Sequence, residues 1–415
     1  MTLKACKYHL KPNAEQRQKL SKAFGHNRFV WNWAMALRER YYRRFQKTVS
    51  KRRLQDQLVK KKKQPKFAWL NEVNAQSYLA TLDNLDKAYK AFFKGNAKHP
   101  RFKSKKSNWH SYQNPQHIEL DTKNNRIKIP KIGWVKCKVH RMVKGKIKTC
   151  TIKLHPSGKF TVSVLFDTQE TLPDKTFLDT DKIIGLDLGI KAFVTCSDQT
   201  VFENPQFLEQ TLKKLNRHQR ILSRKQKGSN SRSKQRLKVA KLHEKVSHQR
   251  NDYLHQITHK LVCESQAVGF VIEDLNVKGL IQNKKLSRRI ADVAWGSFLQ
   301  KLAYKCDWYG KSLLKVNRFY PSSKTCSKCG WIKPNLKLSD RVFECGQCGH
   351  KQDRDLNAAI NIKQQGLKAL EGVGTTLAVK CSPESIPAQT GDSAKGVSGC
   401  LPESAEAHTR IPLGV

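Results

Sequence analysis

Two sets of side chains in this chain of 415 residues have the types and spacing to do chemistry. The first is Cys326-x2-Cys329-x15-Cys345-x2-Cys348, a pair of CxxC knuckles. Four thiolates at that spacing fill a tetrahedral zinc site and leave no open position, so the ion would be structural. Gly330 and Gly349 each follow a second cysteine, where the backbone must turn tightly. The second set is acidic. Asp187 lies inside Ile184-Gly-Leu-Asp-Leu-Gly189, Glu273 follows the apolar run Val268-Gly-Phe-Val-Ile272, and Asp355 lies in Asp353-Arg-Asp-Leu-Asn-Ala-Ala359. An ionised carboxylate in or beside an apolar strand is costly unless a cation or donor compensates it. If two such strands are neighbours, a shared Mg²⁺ or Mn²⁺ removes the cost, and a pair of these ions suits phosphodiester hydrolysis. Each acid also has a plainer reading. Asp187 could bond backbone amides, Glu273 could pair with a lysine, and Asp353 or Asp355 could cap a helix.

The elements that must position these groups follow from hydrophobic periodicity. Residues 1–10 read as a strand. Leu20, Phe24, Val30, Trp31, Trp33, Ala34 and Leu37 recur at helical spacing, and further helices surround Leu54 and run from Leu70 to Phe93. From His117 to Phe166 the pattern alternates, which predicts an antiparallel sheet or small β-barrel joined by the first strand. The expected β domain is therefore 1–12 with 113–170, and a helical insertion occupies 13–112. A second unit starts with a buried-type strand at Ile183 and includes another at Val268–Ile272. Between them, residues 205–262 read as a basic helical hairpin divided at Lys227-Gly-Ser-Asn-Ser231. The unit is expected to comprise 182–318 and 350–365, with the zinc ribbon at 319–349 inserted. A last helix should start near Asp355 and end around Gly366, leaving 366–415 as a disordered tail.

Charge narrows the partner. There are 80 Lys and Arg against 33 Asp and Glu, a net charge of +47. The interval 205–260 alone has 15 basic and 3 acidic residues. That imbalance points to a polyanion, and without any apolar run long enough for a membrane helix, nucleic acid leads. Within the hairpin, Lys213, Lys214, Arg217 and Arg224 are candidates for phosphate contacts. Trp109 and Tyr112, close to Lys105 and Lys106, are candidates for stacking on bases, although packing competes as an explanation. A chain of this size lacking a secretory pattern reads as cytoplasmic, where disulfides are rare, so the four knuckle cysteines are expected to be metal ligands rather than bridges, and the other eight are scattered.

Three segments carry a family resemblance. Gly185-Leu-Asp-Leu-Gly-Ile-Lys191, Val271-Ile-Glu-Asp-Leu275 and Asp353-Arg-Asp-Leu-Asn-Ala-Ala-Ile-Asn361 resemble the three motifs of a RuvC-type, RNase H-like nuclease. With Tyr320-Pro-Ser-Ser-Lys-Thr-Cys326, Asn27-Arg-Phe-Val-Trp-Asn32 and Asp292-Val-Ala-Trp-Gly296, the chain over about 1–365 resembles the transposon-encoded TnpB family, relatives of type V CRISPR effectors. The resemblance implies a multi-domain α+β and α/β protein: a wedge-like β-barrel domain with a helical recognition lobe, then an RNase H-like (RuvC) nuclease domain carrying the zinc ribbon. It implies an RNA-guided DNA endonuclease of a prokaryotic transposable element, nucleoid-associated when bound to target. Asp187, Glu273 and Asp355 would be its catalytic magnesium ligands, and Cys326, Cys329, Cys345 and Cys348 its zinc ligands. Guide RNA and target double-stranded DNA are the implied partners, with the protein a monomer in the ribonucleoprotein. Two alternatives are a transposase-type strand-transfer enzyme and a non-catalytic zinc-containing regulator. The acid order Asp, Glu, Asp argues against the first.

Overall fold

The structure is a computed structural model that describes residues 2–106, 110–175, 179–283, 285–337 and 339–371. The chain packs as two units. In the first, strand β1 (Leu3–Lys11) leads through Pro12 into helix α1 (Ala14–Phe45). Asn13 caps α1: its side chain accepts from Gln16 N, and the Gln16 side chain accepts from Asn13 N. That reciprocal box satisfies two orphan donors of the first turn. Helix α2 (Lys51–Lys63), a 3₁₀ segment (Pro65–Glu72) and helix α3 (Ala75–Phe93) complete the insertion.

The strands β2 (His110–Asn114), β3 (Glu119–Asp121), β4 (Arg126–Ile129), β5 (Gly133–Lys138), β6 (Lys146–Leu154) and β7 (Phe160–Asp167) join β1 in one antiparallel sheet. Its order is β2-β6-β7-β1-β5-β4-β3. β1 runs against β7 from Leu3 opposite Asp167 to Leu10 opposite Phe160, which turns Cys6, Tyr8 and Leu10 inward. The expected barrel is not closed. The end strands are the short β2 and β3, and the described pairings do not join them. Helices α4 (Phe207–Arg224) and α5 (Asn230–His259) also group with this unit. Glu244 of α5 accepts from Ser157 Oγ at 2.9 Å and pairs with Lys159 at 2.8 Å.

The second unit is built on a mixed sheet. Strands β8 (Ile183–Leu188), β9 (Ala192–Cys196) and β10 (Val201–Glu203) form a meander, β11 is Gly269–Glu273 and β12 is Ser312–Val316. The order is β10-β9-β8-β11-β12, and β11 is parallel to both of its neighbours. Short helices α6 (Val277–Leu280) and α7 (Ser287–Val293) precede α8 (Trp295–Trp308). The hairpin β13 (Val342–Glu344) and β14 (Lys351–Asp353) then leads directly into α9 (Arg354–Glu371).

α9 sits on the sheet because two glycines admit it. A Cβ added at Gly185 of β8 would collide with the carbonyl oxygen of Ala359, and one at Gly366 of α9 would collide with Val271 of β11. Gly366 therefore does not end the helix as expected. Glycine in a helix interior costs only about 1 kcal/mol relative to alanine, and here it lets the helix approach the strand. α9 continues to Glu371. The remainder of the expected disordered tail lies outside the described residues, as does Trp109.

Candidate metal centres

The cysteine knuckles converge as their spacing predicts. The four Sγ atoms lie within 4.8 Å of one another. Cys326 and Cys348 are 3.8 Å apart at sulfur, and Cys329 and Cys345 are 3.5 Å apart. Zinc–sulfur bonds of about 2.3 Å imply tetrahedral edges of about 3.8 Å, so the set fits a zinc ion. Each knuckle turns on a positive-φ glycine, Gly330 at 78° and Gly349 at 69°. Gly330 N and Gly349 N donate to Cys326 O and Cys345 O. Burial works against ionising Cys345, but the N–H groups of Cys348 and Gln347 overcome it and hold the thiol down at about 6. Against the Trp331 N–H, burial and the other three thiols push the Cys329 thiol up to about 12, so the four cysteines share protons that a bound metal would displace.

The acids are gathered by topology rather than spacing. Asp187 lies on β8, Glu273 ends the adjacent parallel strand β11, and Asp355 lies in the first turn of α9. Burial pushes the Asp187 carboxyl up to about 8, with further upward pressure from the charges of Glu273 and then Asp355. Burial also raises Glu273, against a hydrogen bond donated by Ser322 Oγ. Arg354 pairs with Asp355 at 3.0 Å and pulls Asp187 back down. A neighbourhood of three carboxylates with this upward pressure has the donor chemistry of a hard divalent cation. Among the described residues, however, the cysteines are the one group of three or more gathered to common ligand distance.

The neighbouring acids divide their roles. Asp353 Oδ1 accepts from Asp355 N at 2.9 Å and Leu356 N at 3.1 Å, which makes it the cap of α9. Asp274 pairs with Arg318 at 2.6 Å and Lys315 at 3.3 Å.

Several asparagines that the sequence offers only as members of motifs have structural roles. Asn357 and Asn361, fully buried on α9, donate to Thr325 O at 2.7 and 2.6 Å, and Asn361 also donates to Ser322 O at 2.8 Å. Ser327 N returns a bond to Asn357 Oδ1 at 3.0 Å. Their signal was an asparagine pair at i, i+4 inside an Ala-Ala-Ile helix, where its low helix propensity needs a reason. Asn27 likewise ties α1 to α3, donating to Ser77 Oγ and accepting from Thr81 Oγ1 at 2.7 Å. Asn32 exchanges two bonds with the backbone of Lys103 and so anchors the basic loop.

The basic candidates Lys213, Lys214, Arg217 and Arg224 are exposed on α4, while Leu215 is buried. Lys213, Arg217, Arg220 and Arg224 recur at intervals of four, three and four residues, which sets them along one helix face. Arg220 was missed. In the same unit, Lys159, Lys241, Glu244, Lys245, His248 and Gln249 line a cleft of about 460 Å³. Tyr112 is buried edge-on against Phe24 at 5.5 Å, so it packs in the core rather than stacking on bases. No helix among the described residues is long and apolar enough to cross a membrane.

Comparison with known proteins gives consistent matches. The IS605 OrfB family, described as "Probable transposase", matches residues 165–284. A Cas12f1-like TNB domain matches 295–362. A helix-turn-helix domain of the same OrfB group matches 1–47, residues that here form β1 and one continuous helix, α1. A Streptomyces pristinaespiralis protein named "Putative RNA-guided DNA endonuclease" is 36% identical over 374 residues, covering 88% of this chain and 90% of its own. The Escherichia coli K12 protein named "Putative RNA-guided DNA endonuclease InsQ" is 33% identical, covering 88% of this chain and 92% of its own. A solved Cas12f1–sgRNA–target DNA complex aligns with a TM-score of 0.35 and 17% identity, over 88% of this chain and 99% of that one.

Proposed function

The chain belongs to the TnpB/IS605 OrfB family, and from that membership we propose that it is an RNA-guided DNA endonuclease of a transposable element. The observation that supports the chemistry best is the position of Asp187. It lies on an apolar strand, with Glu273 on the adjacent parallel strand, and α9, which carries Asp355, packs against Gly185 two residues away. In this reading the sheet, α9 and the cysteine ribbon form an RNase H-like nuclease domain. Asp187, Glu273 and Asp355 would hold divalent cations, Mg²⁺ or Mn²⁺. Bound there, such ions would activate water and stabilise the leaving oxygen of a phosphodiester.

The chain's own residues supply the rest. Asp353 fixes the first turn of α9, and Arg354 pairs with Asp355, whose charge a bound cation would also offset. The four-cysteine site is closed and takes no part in hydrolysis. Sequence is read by base pairing between guide and target, while the protein holds backbones and shape. The exposed face of α4, with Lys213, Lys214, Arg217 and Arg224, is assigned to that backbone grip. The β domain with α1–α3 is assigned to the guide scaffold and the motif beside the target.

The test is to purify the protein with its native locus, sequence any bound RNA, and incubate the complex with plasmids that do or do not match it. A discrete bound RNA and cleavage of the matching plasmid alone are expected. Purification without a discrete RNA would overturn the guided mechanism, and joined rather than cut products would indicate strand transfer.

A further inference from the structure

Glu273 receives a hydrogen bond from outside the three acid-bearing elements. Ser322 Oγ donates to Glu273 Oε1, and Ser322 lies in the segment Tyr320–Ser327 that runs into the first zinc knuckle. That segment is tightly held. Thr325 N and Oγ1 both donate to Pro321 O, at 3.1 and 2.9 Å, and Ser322 N donates to Tyr320 O at 2.9 Å. Asn361 binds the carbonyls of Ser322 and Thr325, Asn357 binds Thr325 again, and Ser327 N closes on Asn357. The residue between Thr325 and Ser327 is Cys326, itself buried. One short stretch therefore touches three things: a zinc ligand, the helix of Asp355, and the carboxylate of Glu273.

We propose that Ser322 is a positioning residue for Glu273, held in place by the Asn357–Asn361 clamp and by the Cys326 knuckle, which zinc would anchor. A glutamate at a strand end has three side-chain torsions, and a buried donor on one oxygen selects a rotamer and leaves the other oxygen for a ligand. Partners of this kind orient ligating carboxylates, and their loss typically costs about 10–100-fold in metal affinity or activity. The ribbon thereby serves the nuclease site without touching substrate. This inference rests on the reading of Glu273 as a metal ligand.

The experiment compares full-length ribonucleoproteins carrying Ser322→Ala, Ser322→Thr, Ser322→Val or Glu273→Ala. Zinc content, target binding, single-turnover cleavage and Mn²⁺ affinity by electron paramagnetic resonance are measured, with Asp187→Ala as the background for Mn²⁺ held by RNA. Ser322→Ala should keep zinc and target binding, weaken Mn²⁺ binding and slow cleavage by about 10–100-fold. Ser322→Thr should restore both, and Ser322→Val, the isostere of that threonine, should not, which isolates the hydroxyl even if alanine perturbs folding. Parent-like cleavage and Mn²⁺ affinity in Ser322→Ala or Ser322→Val would overturn the proposal. So would a loss that threonine fails to restore. Retained cleavage in Glu273→Ala would instead overturn the underlying site assignment.

Discussion

One unit carries a cysteine cluster gathered to metal-ligand distance and a neighbourhood of three acids proposed to hold divalent cations, and the two are built in opposite ways. The cysteine cluster is local: its ligands fall within 23 residues of sequence, on two backbone turns. The three acids come from two strands and a helix, successive acids lying 86 and then 82 positions after the one before. The first brings its sulfurs to common ligand distance, whereas the second leaves Asp187 with a carboxyl pushed up to about 8. A closed local site stabilises a fold, and an open assembled site stores electrostatic cost that a cation relieves.

That contrast is most exposed by removing ligands. Glu273→Ala or Asp355→Ala should lower target cleavage on the order of 10³-fold or more while zinc content and RNA binding stay at parent level. Equal loss of zinc in those variants would break the distinction between the clusters. Cys345→Ser should do the converse, stripping zinc, as read by elemental analysis. Cleavage should fall by a smaller factor, about 10–100-fold, because the Tyr320–Ser327 segment loses one of its anchors.

Protonation offers a subtler probe. Asp187 has its carboxyl raised from the ordinary 3.8 to about 8. Between those values the folded chain keeps a proton that the unfolded chain has released, so stability falls as pH rises through that window. Thermal melts without added divalent ions should show a transition that declines from pH 6 to pH 8.5. Asp187→Asn should flatten the decline, and a parent protein with no decline would contradict the assigned burial. The smallest effect belongs to the surface of the other unit. Replacing Lys213 and Arg217 by alanine should reduce the slope of log affinity against log salt by about one for each phosphate no longer neutralised, with zinc and the metal-dependent cleavage step unaltered.

These differences also explain what could be read from residues alone. The cysteine site was legible because knuckle spacing is itself the geometry. Asp187 stood out because an acid within Ile-Gly-Leu-Asp-Leu is anomalous in an apolar strand. The purpose of Gly185 was not legible, since its neighbour Ala359 lies in an element far along the chain. The same holds for Ser322 and the asparagine clamp, whose partners only tertiary packing supplies. Alternation predicted the faces of the first sheet but not its edges, so the barrel was over-read and the sheet is open. Tyr112 reads from sequence as either core or surface, and its packing against Phe24 places it in the core.

The central claim is that base pairing with a bound RNA directs a cut made at the Asp187, Glu273 and Asp355 site. Exchanging the guide segment of the bound RNA and assaying plasmids matched to the old and new guides tests it most directly. The account predicts cleavage that moves with the guide and disappears in Asp187→Ala, with target binding preserved. Cleavage that ignores the exchanged guide, or persists in Asp187→Ala, would contradict it.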